Sequence, residues 1–502
     1  MGERKGREIM EKLSADVEAL CRDRIYHYFR RLSDIPRRSF HEKAVSDYIY
    51  NWALEHGWNA ERDAVYNVFI HKAASPGCEN APTVMLQAHL DMVCEKRADS
   101  PHDFSRDAIP WRIEGDVLST GGETTLGADD GIGVALAMAV LEREDLRHPP
   151  LEVLFTTREE ENFGGALHFD RNKMSATRLI NLDNTEEKTI VSGSCGGMRA
   201  EVKAGFPLEA VREDCIPVEL SIKGLLGGHS GEDIHRGRGN ANLLLIRALW
   251  RLSACCSYQL GCIRGGSFRL AIPREASALL WIPAGELKRA GEVAAELETQ
   301  YRSELAHTAG KLKLTLTECR SEQPDAGLAK RQGVEPDPLL PALLLMPDGI
   351  VQMSEAFEGI VDTSVNLGEL YLNDGALRLV FEIRSLRESL RDLVYERIEQ
   401  AAKPIHGSCS FDTVYPSWDF FESSKLRETY LAAFRGCGGE RPKALTVHAG
   451  LEVSYFFREG KELDAISVGP DIRNFHSPSE WLCISSAKRV YRYLCETLAA
   501  LA

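Results

Sequence analysis

The sequence predicts an α/β fold in which helices flank a central, mixed and largely parallel sheet, interrupted by an inserted α+β region. Three observations support this prediction. Short apolar runs alternate with stretches of helical periodicity in the first 182 residues, a pattern typical of βαβ units. After Gly196–Gly197 the pattern changes to alternating strands and amphipathic helices. From about Tyr415 the first pattern returns.

The N-terminal part contains three predicted helices and four predicted strands. Apolar residues spaced at i, i+4 predict a helix over residues 8–33, and a second amphipathic helix is predicted over 41–56. An apolar helix is predicted over Gly131–Glu144. Because the strands are short and mostly apolar, we expect them to be buried in a parallel sheet. They are Val65–Ile70, Thr83–Ala88, Leu151–Thr156 and Arg178–Leu182.

The insert and the C-terminal part have elements of their own. Val218, Leu220 and Ile222 alternate with polar residues, which predicts a strand with one buried face. The insert also has predicted helices and strands near Asn240–Ala254, Ser267–Ile272, Ala290–Glu304, Leu377–Ile383 and Leu390–Ala402. In the C-terminal part, the predicted elements are a helix over 424–435, a strand at Ala465–Val468 and a helix over 485–501.

Length and charge limit the classes of partner. A chain of 502 residues favours two or more domains. Its 60 Lys and Arg against 75 Asp and Glu leave a formal net charge of −15. A field of this sign repels phosphate backbones and anionic lipids, so neither nucleic acid nor a membrane is an expected partner. With 44% hydrophobic and 27% charged residues, the chain can form a large globular core.

Cysteine usage and the first residues predict a cytoplasmic location. The 13 cysteines include no C-x-x-C pair, so a secreted disulfide scaffold is disfavoured and a reducing compartment is favoured. The first twenty residues carry charges every few positions and lack the apolar centre of a signal peptide. No uncharged apolar run reaches the ~18 residues of a membrane span.

Two segments place acidic side chains beside apolar elements. In QAHLDMV, His89 and Asp91 follow a predicted strand and share one face, so the imidazole can bind a metal while the carboxylate orients it. In TTLGADDGIG, Asp129 and Asp130 open the apolar helix, where an aspartate can bridge two cations. Taken alone, a surface turn explains the first segment better, and a helix N-cap explains the second better.

Three further segments carry candidate groups. In TTREEENFGGA, Glu159, Glu160 and Glu161 follow a predicted strand, and adjacent carboxylates raise one another's pKa unless a cation neutralises them. One carboxylate on a metal with its neighbour free as a base is one use of this pairing, and a solvated acidic loop is the other. Asp183 ends the strand of LINLDN, and His476 lies in a loop with prolines on both sides.

Together these five segments predict a metal site. Open α/β sheets place their sites at the carboxyl ends of the strands. Oxygen ligands and imidazoles without thiolates suit a pair of Zn²⁺ or Mn²⁺ ions. Two ions about 3.5–4 Å apart that share a carboxylate hold a bridging hydroxide, which is a nucleophile at neutral pH. A free glutamate beside them would complete a hydrolase site.

Eight motifs occur in the order found in aminoacyl-histidine dipeptidases, also called cytosolic non-specific dipeptidases. They are QAHLDMV, TTLGADDGIG, TTREEENFGGA, LINLDN, GLLGGHSGEDIHRGRGNAN, AIPREA, HAGLE and SVGPDIRNFHSP. From about residue 18 to its C-terminus the chain resembles this family. The family belongs to the superfamily of co-catalytic dinuclear zinc peptidases that includes carboxypeptidase G and the carnosinases.

The resemblance implies a cofactor of two divalent metal ions. The five implied ligands are His89, Asp129, Glu160, Asp183 and His476. Asp129 corresponds to the bridge, with His89 and Asp183 on one ion and the two remaining ligands on the other. Zn²⁺ is the expected metal, and Mn²⁺ or Co²⁺ also suit the mixed oxygen and nitrogen ligands.

The resemblance also implies catalytic roles for two acidic residues. Asp91 corresponds to the residue that orients His89. Glu159 corresponds to the general base and acid, which takes a proton from the metal-bridged water and delivers it to the leaving amine.

The insert corresponds to a lid domain. The implied domains are a catalytic domain of residues 1–197 and 414–502, with 1–17 as a helical extension, and a lid of residues 198–413. In the lid, His229 corresponds to the residue that stabilises the oxyanion, and Arg384 to a contact with the terminal carboxylate of the substrate. His448 and Glu452 of HAGLE correspond to a segment near the substrate. A core histidine and a cap are the alternatives for these two residues.

The chain departs from the family pattern at three places. Asp130 stands where relatives usually have Asn, which bears on metal affinity. Leu270 stands where relatives have an Asn that contacts the substrate, which bears on specificity. Glu161-Asn162 replaces the pair Ala-Gly that is common after the two glutamates.

The residues and the resemblance together predict a cytoplasmic metallo-dipeptidase of broad specificity for small peptides, including Xaa-His dipeptides. The resemblance also implies a homodimer. One alternative keeps the site but changes the substrate to N-acyl amino acids or tripeptides. Another is a catalytically silent, metal-bound scaffold. The scaffold is disfavoured because all five ligand positions and Glu159 are filled.

Overall fold

A computed structural model describes residues 15–319, 331–438, 442–457 and 462–502. The chain divides into two compact units, which are described separately. Unit 1 consists of Met1–Gly193, Asp419–Thr446 and Leu451–Ala502. Unit 2 consists of Ser194–Trp418 and Val447–Gly450. The described helices include none with the length and apolar character needed to span a membrane.

Unit 1 contains an eight-stranded mixed sheet. Its four central strands are parallel to one another, and the strands at the start of the order pair antiparallel. In order across the sheet the strands are Asn59–Arg62, Val68–Lys72, Leu151–Thr156, Val84–His89, Arg178–Asn181, Asp464–Ser467, Thr189–Ser194 and Lys443–Val447. The predicted α/β class with a mixed sheet is therefore confirmed.

The central strands are buried because both faces of the sheet are covered. Every residue of Val84–His89 and Leu151–Thr156 is buried, as expected for apolar strands in the middle of a parallel sheet. The helix Ala128–Glu142 packs on Val84–His89 and is apolar on nearly all sides. The other long helices of unit 1 are Arg24–Ser33, Lys43–Glu55, Lys425–Gly436 and Ile484–Leu501.

A small four-stranded sheet completes unit 1. Its order is Ile472–Arg473, Trp481–Cys483, Val117–Ser119 and Arg112–Glu114, all antiparallel. The loop between its first two strands carries His476. A region near the C-terminus of the chain is thereby attached to the segment that precedes the helix Ala128–Glu142.

The single helix predicted over residues 8–33 is wrong in its described part. The chain turns at residues 21–23, and a new helix begins at Arg24. The reason is Asp23, whose carboxylate accepts a hydrogen bond from Ile25 N at 3.2 Å and caps the second helix. The predicted helical extension over 1–17 lies outside the described residues as far as residue 14.

Unit 2 is built on a nine-stranded antiparallel sheet. Eight strands follow in the order Lys313–Glu318, Cys215–Lys223, Ala276–Pro283, Gln259–Gly265, Val361–Asn373, Ala376–Ser385, Gly196–Gly205 and Ser408–Tyr415. Gly349–Met353 also pairs with Val361–Asn373. The main helices of this unit are Ala241–Ser253, Leu287–Glu304, Pro336–Leu345 and Glu388–Ala402.

One strand predicted in unit 2 is misplaced. Instead of Ser267–Ile272, the long strand is Gln259–Gly265, and it ends at Gly266, whose φ of 69° is left-handed. Of the predicted segment, only Ala271–Ile272 is extended, and it pairs with Gly228–His229. This short ladder holds the segment that carries His229.

Candidate functional site

The candidate ligands of unit 1 lie at the carboxyl ends of neighbouring parallel strands. His89 ends the central strand Val84–His89, and Glu159 is the third residue after the strand Leu151–Thr156. Asp183 comes two residues after the strand Arg178–Asn181. Because the three strands are adjacent and parallel, their ends meet at one edge of the sheet.

Asp129 joins this group from the start of the apolar helix. Gly127, with a left-handed φ of 68°, precedes the turn, and the backbone of Asp129 and Asp130 is non-helical. Asp129 Oδ1 lies 3.1 Å from His89 Nε2. The same nitrogen lies 3.9 Å from Asp183 Oδ1.

His476 approaches Asp129 from the other side. Its Nε2 lies 3.3 Å from Asp129 Oδ2 and 2.9 Å from Glu160 Oε2. The two oxygens of the Asp129 carboxylate therefore face two different histidines, His89 and His476. This is the arrangement that a carboxylate shared by two cations requires.

Asp91 contacts both His89 and the turn that carries Glu159 and Glu160. It is completely buried, and its Oδ1 lies 3.4 Å from His89 Nδ1. The same carboxylate accepts hydrogen bonds from the backbone N–H of Glu159 at 3.0 Å and of Glu160 at 3.2 Å, and from the Ser39 hydroxyl at 2.8 Å. Asp91 thus lies against the His89 imidazole and anchors the turn that carries the two glutamates.

The electrostatics of the group favour the binding of a cation. Burial, together with neighbouring carboxylates, raises the pKa of Glu159, Glu160 and Asp183. Although burial opposes it, hydrogen bonds from His476 and His89 hold the pKa of Asp129 well below its usual range. A divalent cation would relieve the repulsion among these carboxylates, so the residues fit such an ion.

Among the described residues, two groups of three side chains have the spacing of metal ligands. Within each group, one possible ligand atom from each residue lies within 4.8 Å of those of the other two. One group is His89, Asp129 and Glu160, and the other is His89, Asp130 and Asp183. Asp130 is buried, and its Oδ2 accepts the backbone N–H of His89 at 3.1 Å. The departure at Asp130 therefore lies directly against the candidate site, whereas Glu161 is exposed to solvent.

A second cluster lies in unit 2 and contains three of the predicted substrate-side residues. The Arg384 side chain is buried, its Nη1 donates to Tyr415 Oη at 3.0 Å, and its Nη2 donates to Ser230 Oγ at 3.5 Å. His448 Nε2 lies 2.7 Å from Ser364 Oγ. Burial and the nearby positive charge of Arg384 lower the pKa of His448 to about 3.

The hydrogen bonds of His229 define its tautomer. Its Nδ1 accepts the backbone N–H of Glu232 at 3.1 Å. A neutral imidazole that accepts at Nδ1 carries its proton on Nε2. In this tautomer the Nε2–H of His229 is a hydrogen-bond donor. Its own backbone N–H donates to Asp233 Oδ2 at 2.9 Å, which adds to the short ladder that holds this segment.

Glu452 differs from the other predicted substrate contacts. It lies in unit 1 and is almost completely buried. Its Oε2 accepts hydrogen bonds from Gln87 Nε2 at 2.7 Å and Thr156 Oγ1 at 2.5 Å, and burial raises the pKa of Glu452 to about 7. Gln87 in turn accepts from Asn181 Nδ2 at 2.6 Å. These hydrogen bonds connect three neighbouring strands of the sheet through Gln87, Thr156 and Asn181. They favour a structural role for Glu452 in holding the strands together over contact with substrate.

The residue patterns missed two further groups at this site, Glu480 and Arg37. Both are buried, and both hold the backbone beside Asp129. The nearest sequence signal for Glu480 is its position four residues after His476 in the segment HSPSE.

Comparisons with known proteins identify the family of the chain. The chain belongs to peptidase family M20/M25/M40, whose model matches residues 85–500. It is similar to the cytosol non-specific dipeptidase of Escherichia coli, with 36% identity over 488 residues, which is 96% of this chain and 99% of that protein.

Two solved structures resemble the chain. The aminoacylhistidine dipeptidase of Vibrio alginolyticus matches with a TM-score of 0.80 and 33% identity, over 95% of this chain and 96% of that one. Human carnosine dipeptidase 1 shares the fold at a TM-score of 0.50 and 12% identity, over 98% of this chain and 99% of the other. The resemblance predicted from the eight motifs is therefore confirmed.

Proposed function

We propose that this chain is a metal-dependent dipeptidase of broad specificity, and that Xaa-His dipeptides are among its substrates. The observation that carries the proposal is the position of Asp129, whose two carboxylate oxygens face His89 at 3.1 Å and His476 at 3.3 Å. Its family consists of peptidases, which makes hydrolysis of peptide bonds the expected chemistry. The names of its Escherichia coli and Vibrio relatives support dipeptides as the substrate class.

Five residues would hold two divalent cations. Asp129 would be shared, with His89 and Asp183 on one side and Glu160 and His476 on the other. Zn²⁺ is the proposed metal, because a set of imidazoles and carboxylates without thiolates suits it, and Mn²⁺ or Co²⁺ would also bind. Such ions, when bound, polarise the carbonyl of the scissile bond and lower the pKa of water.

Glu159 is the proposed general base and acid. Its Oε2 lies 4.0 Å from His89 Nε2, beside the ligands, and its backbone N–H is fixed by Asp91. Burial and the neighbouring Glu160 raise the pKa of Glu159. A carboxylate of raised pKa takes a proton from the attacking water more readily and can pass it to the leaving amine.

The unit 2 cluster is proposed to bind the substrate. His229 would donate a hydrogen bond from Nε2 to the oxygen that becomes negative in the transition state. Arg384, supported by Tyr415, would bind the terminal carboxylate of the peptide, since a guanidinium can grip both carboxylate oxygens. His448 lies beside Arg384 and His229 and would line the same subsite. In this proposal unit 2 is the lid.

The cellular location and the oligomeric state of the enzyme are also proposals. The name of the Escherichia coli relative places that protein in the cytosol, which supports a cytoplasmic location here. The homodimer implied by the family resemblance is proposed for this chain as well.

An activity panel with a matched pair of variants tests the proposal. Purified protein loaded with Zn²⁺ is assayed against dipeptides that include Xaa-His, tripeptides and N-acetyl amino acids, with and without a chelator. We expect dipeptide hydrolysis that the chelator abolishes. Glu159→Gln should lower kcat by ~10²–10⁴-fold with metal content intact, whereas Glu161→Gln, at an exposed position, should leave kcat unchanged.

Three outcomes would contradict the proposal. Turnover confined to N-acetyl amino acids or tripeptides would assign the same site to a different substrate. No turnover of any substrate by metal-loaded protein would favour a scaffold. Equal activity of the two glutamate variants would remove Glu159 from the chemistry.

A further inference from the structure

Glu480 lies four residues after His476, and its carboxylate accepts hydrogen bonds from backbone N–H groups. The proposed reaction assigns no role to this carboxylate. Glu480 follows the loop that carries His476 and directly precedes the strand Trp481–Cys483. Its side chain is 2% exposed. A carboxylate this deeply buried needs hydrogen-bond donors around it, and here all the donors come from one short stretch of backbone.

That stretch is the turn that leads to Asp129. Glu480 Oε2 accepts the N–H groups of Leu126 at 2.7 Å and Gly127 at 3.0 Å. Glu480 Oε1 accepts the N–H of Ala128 at 2.8 Å and lies 3.4 Å from Asp129 N. Consecutive N–H groups that converge at the start of a helix form a positive site, which a carboxylate complements.

Arg37 holds the opposite, carbonyl side of the same turn. It is 3% exposed and donates from Nη2 to the carbonyl of Gly127. Its Nη1 donates to the carbonyls of Leu90 and Asp91, each at 2.9 Å. A Cβ at Gly127 would lie 2.6 Å from Arg37 Nη2, so glycine is needed for this close approach as well as for its left-handed φ of 68°.

The two side chains thus connect three ligand-bearing segments. Glu480 ties the Asp129 turn to the segment of His476. Arg37 ties the same turn to the residues that directly follow His89. Asp129 is held from both sides at the point where its two oxygens face the two histidines.

We propose that Glu480 and Arg37 are positioning residues that fix the Asp129 carboxylate midway between His89 and His476. The inference rests on the proposed function, because it assigns these residues to the assembly of a dinuclear metal site. Neither residue contacts the reacting atoms. They act through the backbone of residues 126–129 and through the segments that carry the histidines.

The test measures metal affinity and local hydrogen exchange in the full-length protein. Glu480→Gln keeps the size of the side chain but removes its charge and one acceptor oxygen. We expect its affinity for Zn²⁺ to fall by ~10–100-fold in competition titrations with a chelator, as for other groups that support metal ligands. Backbone amides of residues 126–129 should exchange faster in metal-free Glu480→Gln than in the metal-free wild type.

The matched control is Glu187→Gln. Glu187 is another buried carboxylate of unit 1, paired with Arg489 at 2.6 Å and with Tyr493 at 3.0 Å, both on the helix Ile484–Leu501. Glu187→Gln should lower the stability of the protein without a change in Zn²⁺ affinity.

Arg37→Lys tests the second positioning residue. Lysine keeps the charge but cannot reach three carbonyls at once, so this variant should weaken Zn²⁺ binding as Glu480→Gln does.

Two results separate this proposal from the proposed function. If the wild type binds two equivalents of Zn²⁺ and Glu480→Gln binds them with the same affinity, the positioning role is wrong while the function stands. If the wild type binds no divalent metal, the proposed function and the positioning role are both wrong.

If Glu480→Gln is too unstable to study, Glu480→Asp replaces it. This variant keeps the negative charge but moves the carboxylate back by one methylene. Its Zn²⁺ affinity should lie between the wild type and Arg37→Lys, and wild-type affinity would overturn the proposal.

Discussion

The two clusters of polar side chains in this chain differ in charge and in the way they are built. The cluster of unit 1 is dominated by carboxylates at the ends of parallel strands, and burial raises the pKa of several of them. The cluster of unit 2 combines Arg384 with two imidazoles, and there burial and positive charge lower the pKa of His448. The first is suited to cations, and the second to an anionic group.

This difference predicts that variants of the two clusters fail in different ways. Loss of a unit 1 carboxylate should change how much metal the protein holds. Loss of a unit 2 cation should leave the metal in place and change the kinetics with substrate. The following variants test that division.

The largest effect is expected for Asp129→Ala. Because each oxygen of Asp129 faces a different histidine, its removal should lower metal occupancy at both positions and reduce dipeptide hydrolysis below detection. Elemental analysis after dialysis measures the occupancy. Asp145→Ala, at an exposed ion pair of unit 1, serves as the control and should retain two equivalents. Two full equivalents in Asp129→Ala would show that this residue is not the bridge.

A smaller effect is expected for His229→Ala. Removing a donor to the developing oxyanion should lower kcat by ~10²–10³-fold with metal content unchanged. The exposed neighbour His235 supplies the control variant His235→Ala, for which wild-type kcat is expected. Loss of metal from His229→Ala would instead show that His229 is a metal ligand. It would contradict the expectation that only variants of the unit 1 cluster change the metal content.

The smallest effect is expected for Arg384→Lys. Lysine keeps the charge but lacks the fork that grips a carboxylate, so KM should rise by ~10-fold or more while kcat changes less. Steady-state kinetics on a dipeptide and on its C-terminal amide measure this. The amide lacks the carboxylate, so its KM should be nearly the same for both proteins. Arg387→Lys, at an exposed position, is the control. An equal rise in KM for the amide would contradict the carboxylate contact.

The convergence of the strand-end residues could be predicted from the sequence because each of them belongs to a local pattern. His89 ends an apolar strand, while Asp183 comes two residues and Glu159 three residues after such a strand. Parallel strands bring these ends together without further information. The convergence of Asp129 and His476 with them was implied by the family motifs. Local reasoning alone favoured an N-cap for Asp129.

The support of Asp129 by Glu480 could not be predicted because it depends on contacts between distant parts of the chain. Glu480 and Gly127 are 353 residues apart, and the contact runs to a backbone N–H, which leaves no pattern of residue types. The misplaced strand in unit 2 and the helix broken at Asp23 have local causes, a left-handed Gly266 and a capping carboxylate. Either is hard to distinguish from a continuing strand or helix when apolar periodicity runs through it.

The most direct test of the central claim is a crystal structure of the Zn²⁺-loaded protein with anomalous diffraction data collected at the zinc edge. The account predicts two anomalous peaks about 3.5–4 Å apart on either side of Asp129. His89 and Asp183 should contact one peak, and Glu160 and His476 the other. A single peak, or two peaks that do not share Asp129, would contradict it.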